Sequence, residues 1–275
     1  MIPFDFTYIR PQSSEEAVTA YRQAKEAGNA ALYLSGGTEI VTMARDRKLT
    51  FDVLIDLKRL PECRGIDRDQ GEIRFGSAVS LNDAQKYGNV PLLSMAAGAV
   101  ADHSVRNSIT VGGNIAGRLP YREAVLPFLL FDGTVEIAGP DGNRNVGVME
   151  IFDKRLKLSA GEFLVALRVP ESASESTGYY RRRQKDSRVD YPIMTLCMAR
   201  HEDGIRAATS GVFGFPVRSR RAEKALSASG TPAERSRNAV EAFDGKVQSN
   251  MRGAADYRRA LLLQAMEDGL RQLEG

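Results

Sequence analysis

The run Ala31-Leu32-Tyr33-Leu34-Ser35-Gly36-Gly37-Thr38-Glu39-Ile40 passes from four apolar or aromatic residues to paired glycines, and apolar residues then recur at Ile40, Val41 and Met43. It reads as a strand, a glycine turn and a short helix from Glu39 to Arg45. Adjacent glycines after a buried strand let the backbone approach a ligand closely, and the first amides of the following helix are unpaired donors. Such a nest suits a phosphate, with the Ser35 and Thr38 hydroxyls as further donors. A plain strand-to-helix turn without a ligand is the simpler reading of this run alone. The pattern is neither the G-x-G-x-x-G fingerprint nor a Walker loop, since no Lys follows the glycines, so an ordinary nicotinamide or nucleoside-triphosphate fold is disfavoured.

Upstream, Ser13 and Glu16 have capping-box spacing, and Ala17, Val18, Tyr21 and Ala24 recur at helical intervals until Gly28 and Asn29, which predicts a helix over Ser14 to Ala27. Downstream, Val53-Leu-Ile-Asp56 is a second buried strand only a helix away from the first, so the two form a small parallel unit. Ile73 to Phe75 reads as a strand, Leu81 to Lys86 as a short helix and Val90 to Asp102 as a small-residue helix. A second glycine turn, Thr110-Val111-Gly112-Gly113-Asn114, follows. Thr134 to Ala138 reaches Gly139-Pro140-Asp141-Gly142, a turn cluster that reverses the chain into Arg144 to Val148 as a hairpin. Phe163 to Val169 is a strand closed by Pro170, and the polar stretch Glu171 to Thr177 marks a domain boundary. Tyr179 to Arg183, Ile193 to His201 and Ile205 to Phe213 read as three strands, the last two joined by the tight-turn pair Asp203-Gly204. Helices near Ser219 to Ser227, Thr231 to Phe243 and Ala254 to Leu273 complete the chain, with Thr231 as cap and Pro232 at the first helical position.

A length of 275 residues suits two domains better than one core. With 43% hydrophobic and 27% charged residues, the composition is that of an ordinary soluble globular protein rather than a disordered or membrane-inserted chain. No stretch approaches the roughly 18 apolar residues of a spanning helix, and the N-terminal residues lack the blocks of a signal peptide, so a cytoplasmic location is expected. Cys63 and Cys197 stand alone, which leaves no disulfide framework and no Cys-based cluster or zinc site. His103 and His201 are the two histidines. A structural role is expected for the first and solvent exposure for the second, and a metal is not expected. The balance of 38 basic and 35 acidic residues gives no general attraction to nucleic acid. The clusters Arg181-Arg182-Arg183 and Arg218 to Arg221 read as a strand with alternating faces and a helix start facing solvent or a partner.

Taken in order, Ser35-Gly-Gly-Thr38, Thr110-Val-Gly-Gly-Asn-Ile-Ala116, an acidic residue after Pro120 and Leu158-Ser-Ala-Gly-Glu162 resemble the FAD-binding medium subunit of the molybdenum hydroxylases. That family includes xanthine dehydrogenase and carbon monoxide dehydrogenase. The resemblance extends from Phe6-Thr-Tyr8-Ile-Arg-Pro11 to Pro216-Val-Arg218 and Ala222-Glu-Lys-Ala-Leu226, essentially the whole chain. It implies an α+β fold: a two-subdomain PCMH-type FAD-binding domain over residues 1–172, then a small domain over 178–275 with a three-stranded antiparallel sheet and helices.

The resemblance also implies site residues. The first loop carries the FAD diphosphate on Tyr33, Leu34, Ser35, Gly36, Gly37, Thr38, Glu39 and Ile40, and the second on Thr110, Gly112, Gly113 and Asn114, with Val100 near the cofactor. Glu123 stands where the family usually has an Asp contacting the adenosine half, and Leu158 matches an apolar position near the flavin. Arg182 matches a basic residue, commonly Lys, that approaches the flavin. Tyr191 matches an aromatic residue against the isoalloxazine, its other reading being a packed strand residue. By the same resemblance FAD is bound noncovalently, and electrons arrive from a molybdenum-cofactor large subunit through an iron-sulfur small subunit and leave to NAD+ or another acceptor. The molybdenum cofactor and clusters belong to those partners, because two isolated cysteines cannot ligate a cluster. A cysteine-rich insertion of the 4-hydroxybenzoyl-CoA reductase kind is missing. A stand-alone flavin oxidoreductase of the same fold, or a binding module that has lost FAD, are the competing readings.

Overall fold

The computed structural model describes residues 1–185 and 189–275. In chain order it begins with β1 (Thr7–Ile9), α1 (Ser14–Glu26), β2 (Ala31–Leu34), α2 (Thr38–Arg45), β3 (Val53–Asp56), β4 (Ile66–Asp69) and β5 (Glu72–Gly76). Next come α3 (Leu81–Tyr87), α4 (Pro91–Gly98), α5 (His103–Arg106), α6 (Val111–Ala116), α7 (Val125–Leu130), β6 (Thr134–Gly139), β7 (Gly142–Gly147), α8 (Val148–Ile151), β8 (Phe152–Asp153), β9 (Arg155–Leu156) and β10 (Phe163–Pro170). The remainder is β11 (Gly178–Gln184), β12 (Pro192–His201), β13 (Gly204–Ser210), β14 (Val217–Arg218), α9 (Arg220–Leu226), α10 (Pro232–Ala242) and α11 (Ala255–Glu274). Residues 1–84, 103–118 and 133–170 form one compact unit, and residues 85–102, 119–132 and 171–275 form another.

In the first unit β1, β3 and β2 make a parallel sheet in which Ala31–Leu34 pairs in register with Val53–Asp56, as the spacing of the two apolar runs predicts. Strand β1 is an addition the sequence pattern did not announce. The Ser13 hydroxyl accepts the Glu16 amide and starts α1, whose Ala17 and Ala24 pack with Val53, Ile55 and Phe163. Leu54, on the opposite face, joins Leu34, Ala44 and Phe51. A second, five-stranded sheet has the order β4-β5-β10-β6-β7, and its β6–β7 hairpin closes at the Gly139–Gly142 pair where the turn cluster stands.

Glu136 on β6 accepts hydrogen bonds from Arg74 Nη2 (2.8 Å) and Arg168 Nε (2.6 Å). Burial pushes its carboxyl up, but the bonds from the two guanidiniums outweigh this and hold it below its ordinary value. A depressed carboxylate contributes stability that is present above the unfolded value, near 4.5, and is lost as pH falls through it towards the folded one. Glu136→Gln should therefore be less stable than the wild type at pH 7, by about 1.5–3 kcal/mol. The gap should close in urea melts repeated from pH 7 down to pH values below about 4.

The second unit is built on an antiparallel sheet with the order β11-β12-β13-β14. It has four strands rather than the expected three, because Val217 and Arg218 pair with Thr209 and Ala208. A two-residue strand is too short to show a period. Strand β13 ends at Ser210 rather than Phe213, since Gly211 turns to φ 81. The residues of the tight turn are Glu202 and Asp203, and Gly204, at φ 124, already opens β13 opposite His201. The small-residue helix predicted over Val90 to Asp102 stops at Gly98, and Ala101 at φ 49 separates it from α5.

The chain passes between the two compact units after residues 84, 102, 118, 132 and 170. Helices α4 and α7 supply the reason. All six residues of α7 are buried, and Leu92 of α4 lies so close to Gly178 that a Cβ there would sit 2.8 Å away. Both bury apolar faces in the second unit.

Helix α11 packs on β11 and β12 over Met194, Leu196, Met198, Leu262, Met266 and Leu270. Its Arg258 is fully buried, and Nη1 donates to the carbonyls of Ile193 and Gly211 at 2.7 Å each. Nη2 donates to Asn250 Oδ1, also at 2.7 Å. Arg258→Met should cost about 3 kcal/mol or more in urea unfolding followed by circular dichroism, because each buried carbonyl left unsatisfied costs about 1–3 kcal/mol.

Candidate functional site

The chain leaves β2 at Ser35, beside the end of β3, where Leu34 pairs with Asp56. Ligands of open α/β sheets bind at this carboxyl end of the strands. The two glycines that follow are needed for different reasons. Gly37 caps α2 in the left-handed region at φ 77, and a Cβ on Gly36 would lie 1.9 Å from the Ser108 carbonyl oxygen. The first hydrogen bond of α2 runs from the Val41 amide to the Gly37 carbonyl, so the helix supplies no acceptor to the amides from Gly36 to Ile40.

The second glycine pair is not a turn, as expected, but the first turn of α6, and its donors are already engaged. The amides of Val111, Gly112 and Gly113 reach Val79 O (2.9 Å), Ser77 O (2.9 Å) and the Thr110 hydroxyl (3.1 Å). Asn114, half-buried, gives its amide to Thr110 O. From Val111 to Asn114 this segment therefore has its backbone amides paired within the protein. It meets the first loop directly: the Ser35 and Thr110 hydroxyls are 2.8 Å apart, and Glu39 accepts the Arg118 amide at 2.9 Å. A Cβ on exposed Gly113 would stand 2.8 Å from Thr110 Oγ1 and 4.0 Å from the Gly36 nitrogen, so the missing side chain keeps that amide approachable.

Around this junction Leu34 is buried, Ile40 is half-buried and Thr38 is exposed. Tyr33 donates to Gly161 O at 2.9 Å, tying β2 to the turn that follows half-buried Leu158.

The other predicted residues lie in the second unit. Glu123 does not offer the open carboxylate expected of an adenosine contact. It is 3% exposed and accepts from Thr195 Oγ1 (2.6 Å) and Arg182 Nε (2.9 Å). Arg182 in turn donates to Asp190 O (2.8 Å) and to Gln184, so its charge is matched within the protein. Tyr191 precedes β12, is exposed, and stacks on Tyr121 at 4.7 Å with Arg252 over its ring at 5.0 Å. It is not the packed strand residue of its alternative reading. Val100 follows α4.

Arg181 and Arg183 alternate to the other face of β11. Arg218, expected at a helix start facing solvent or a partner, has its side chain fully buried against Asp132 and Glu223, both at 2.6 Å. His103 is exposed and lends its carbonyl to Asn82, whereas His201 is partly exposed and bonds Asp203. Burial pushes the Cys63 thiol up to about 11. Among the described residues no group of three His, Cys, Asp or Glu side chains is arranged to hold a metal. Ser108, Thr195, Tyr121 and Lys58 escape sequence reading, since each matters only through a partner distant in the chain.

A family model described as the FAD binding domain in molybdopterin dehydrogenase matches residues 4–172. The chain belongs to this family. The carbon monoxide dehydrogenase medium chain of Hydrogenophaga pseudoflava is 29% identical over 283 aligned residues, covering 98% of this chain and 97% of that protein. The xanthine dehydrogenase FAD-binding subunit of Escherichia coli O157:H7 is 26% identical over 235 residues, covering 80% of this chain and 79% of that one. Among solved structures, a carbon monoxide dehydrogenase from H. pseudoflava that lacks the Mo-pyranopterin moiety of its cofactor superposes with a TM-score of 0.88 at 27% identity, covering 100% of this chain and 99% of that chain. The α+β fold expected of an FAD-binding molybdenum hydroxylase subunit is thus the observed one. Among the described residues no helix is long and apolar enough to cross a membrane.

If the two loops hold each other, Ser35 and Thr110 are energetically coupled. A double-mutant cycle with Ser35→Ala and Thr110→Val, read by urea unfolding, should return a coupling of about 0.5–1.5 kcal/mol. Thr110→Val alone should cost about 1–2 kcal/mol through the lost α6 cap.

Proposed function

We propose that the chain is the flavoprotein subunit of a molybdenum hydroxylase, binding FAD noncovalently and passing electrons from an iron-sulfur small subunit to NAD+ or another acceptor. A molybdenum-cofactor large subunit is the source of those electrons, and the assembly is cytoplasmic. One observation carries the reading: a row of amides at the start of α2, from Gly36 to Ile40, lies against a second loop whose backbone amides are paired and whose Gly113 leaves the approach open. Donors of this kind, with no side chain between them, fit a diphosphate.

Ser35, Gly36, Gly37 and Thr38 would hold the diphosphate, with Gly113 and Thr110 as the facing wall. When bound, FAD supplies the electron-accepting ring, and the protein's part is to orient it and limit access to it. Tyr191, exposed and stacked on Tyr121, is assigned to the ring, as are Val100 and Leu158. Arg182, a charge already balanced by Glu123, is the basic residue assigned to approach the flavin. The family match over residues 4–172 supports giving cofactor binding to residues 1–172 and the C-terminal portion to residues 178–275, although the compact units interleave within the first.

The purified chain should show flavin absorbance or acquire it on titration with FAD, and a colourless preparation that takes up no FAD would overturn the assignment. Gly113→Leu places a side chain over the Gly36 amide and should weaken FAD binding about tenfold or more with an unchanged circular dichroism spectrum. Reduction of the assembled complex by its substrate, followed by absorbance of NADH, tests the acceptor.

A further inference from the structure

Lys58 belongs to neither glycine loop, yet it reaches the first of them. Its ammonium donates to Asp56 Oδ1 at 2.7 Å and to the Ser35 carbonyl oxygen at 3.3 Å. Asp56 is buried at the end of β3, where it accepts the Lys58 amide at 3.0 Å and a hydrogen bond from the Tyr8 hydroxyl. One line of contacts therefore runs Tyr8, Asp56, Lys58, Ser35, with a residue from each strand of the parallel sheet or the segment that follows it.

The consequence lies in the peptide that Lys58 grips. In a planar trans peptide the carbonyl and the following amide point in opposite directions. Fixing the Ser35 oxygen on Lys58 thus aims the Gly36 N–H away from Lys58. The Gly36 nitrogen is the atom that a Cβ on Gly113 would approach to 4.0 Å, so it lies on the side facing the second loop. If the Ser35–Gly36 peptide were to rotate, it would present a carbonyl where a phosphate needs a donor.

We propose that Lys58, held by Asp56 and Tyr8, is a positioning residue that locks the Ser35–Gly36 peptide with its amide turned towards the diphosphate of FAD. The proposal rests on the reading that FAD binds at this loop. It assigns Lys58 no contact with the cofactor.

The test is FAD affinity of the full chain stripped of flavin, measured by fluorescence titration at low salt and at about 0.5 M salt, where exposed charge contacts are screened. Lys58→Met should weaken binding about tenfold at both salt concentrations, because a lost positioning bond is not screened as a direct charge contact would be. Lys58→Arg, which keeps a donor within reach of Ser35, should recover most of the affinity. The 1H–15N signal of Gly36 should move in Lys58→Met without FAD, a change that general loosening of the fold would not confine to this loop. Tyr8→Phe supplies a second variant that leaves the Lys58 charge in place, with a smaller loss expected. Wild-type affinity in Lys58→Met, or a loss that vanishes in salt, overturns the proposal while leaving the FAD reading intact. A wild-type chain that binds no FAD overturns both.

Discussion

A glycine α-carbon and a carbonyl oxygen share a space too small for one methyl group. The Gly36 backbone lies against Ser108 so closely that any side chain would force them apart, and the Ser35 and Thr110 hydroxyls bridge the same contact. Much of the first unit serves this approach. The parallel sheet delivers Ser35 and Asp56 to one end, and Thr110, capping α6, fixes the segment that receives them. Packing of this sort is unforgiving, because interiors have no slack in which to absorb an added atom.

The two loops look alike in sequence and differ in chemistry. Both have paired glycines with a hydroxyl residue close by, but the amides of Val111 to Gly113 are consumed by Val79, Ser77 and Thr110, while those of Gly36 to Ile40 precede the first bond of their helix. Symmetry of motif does not make symmetry of role. The first keeps amides to which its helix supplies no acceptor; the second has its amides paired and, at Gly113, no side chain. Glu39 then serves the junction through the backbone it holds, by receiving the Arg118 amide.

What could be read from the sequence was what neighbours along the chain decide. Ser13 with Glu16, Thr231 with Glu234, and Gly139 with Gly142 act over a few residues, and their helix starts and turn appear where their spacing puts them. The burial of Arg218 and the engagement of Glu123 depend on residues tens of positions away, which no local period records, and the two residues of β14 are too few to show one. The same holds for α4, whose small apolar residues read as a helix but do not show which core it joins. The order of the glycine motifs indicated the family; the state of each amide did not follow from it.

Glu123 and Arg182, 59 residues apart in the chain, neutralise each other with little water between them. A single replacement at either position strands a bare charge in a medium that solvates it poorly, whereas exchanging both for neutral partners avoids that penalty. The two positions therefore behave as one unit, tolerant of a joint exchange and intolerant of either half of it.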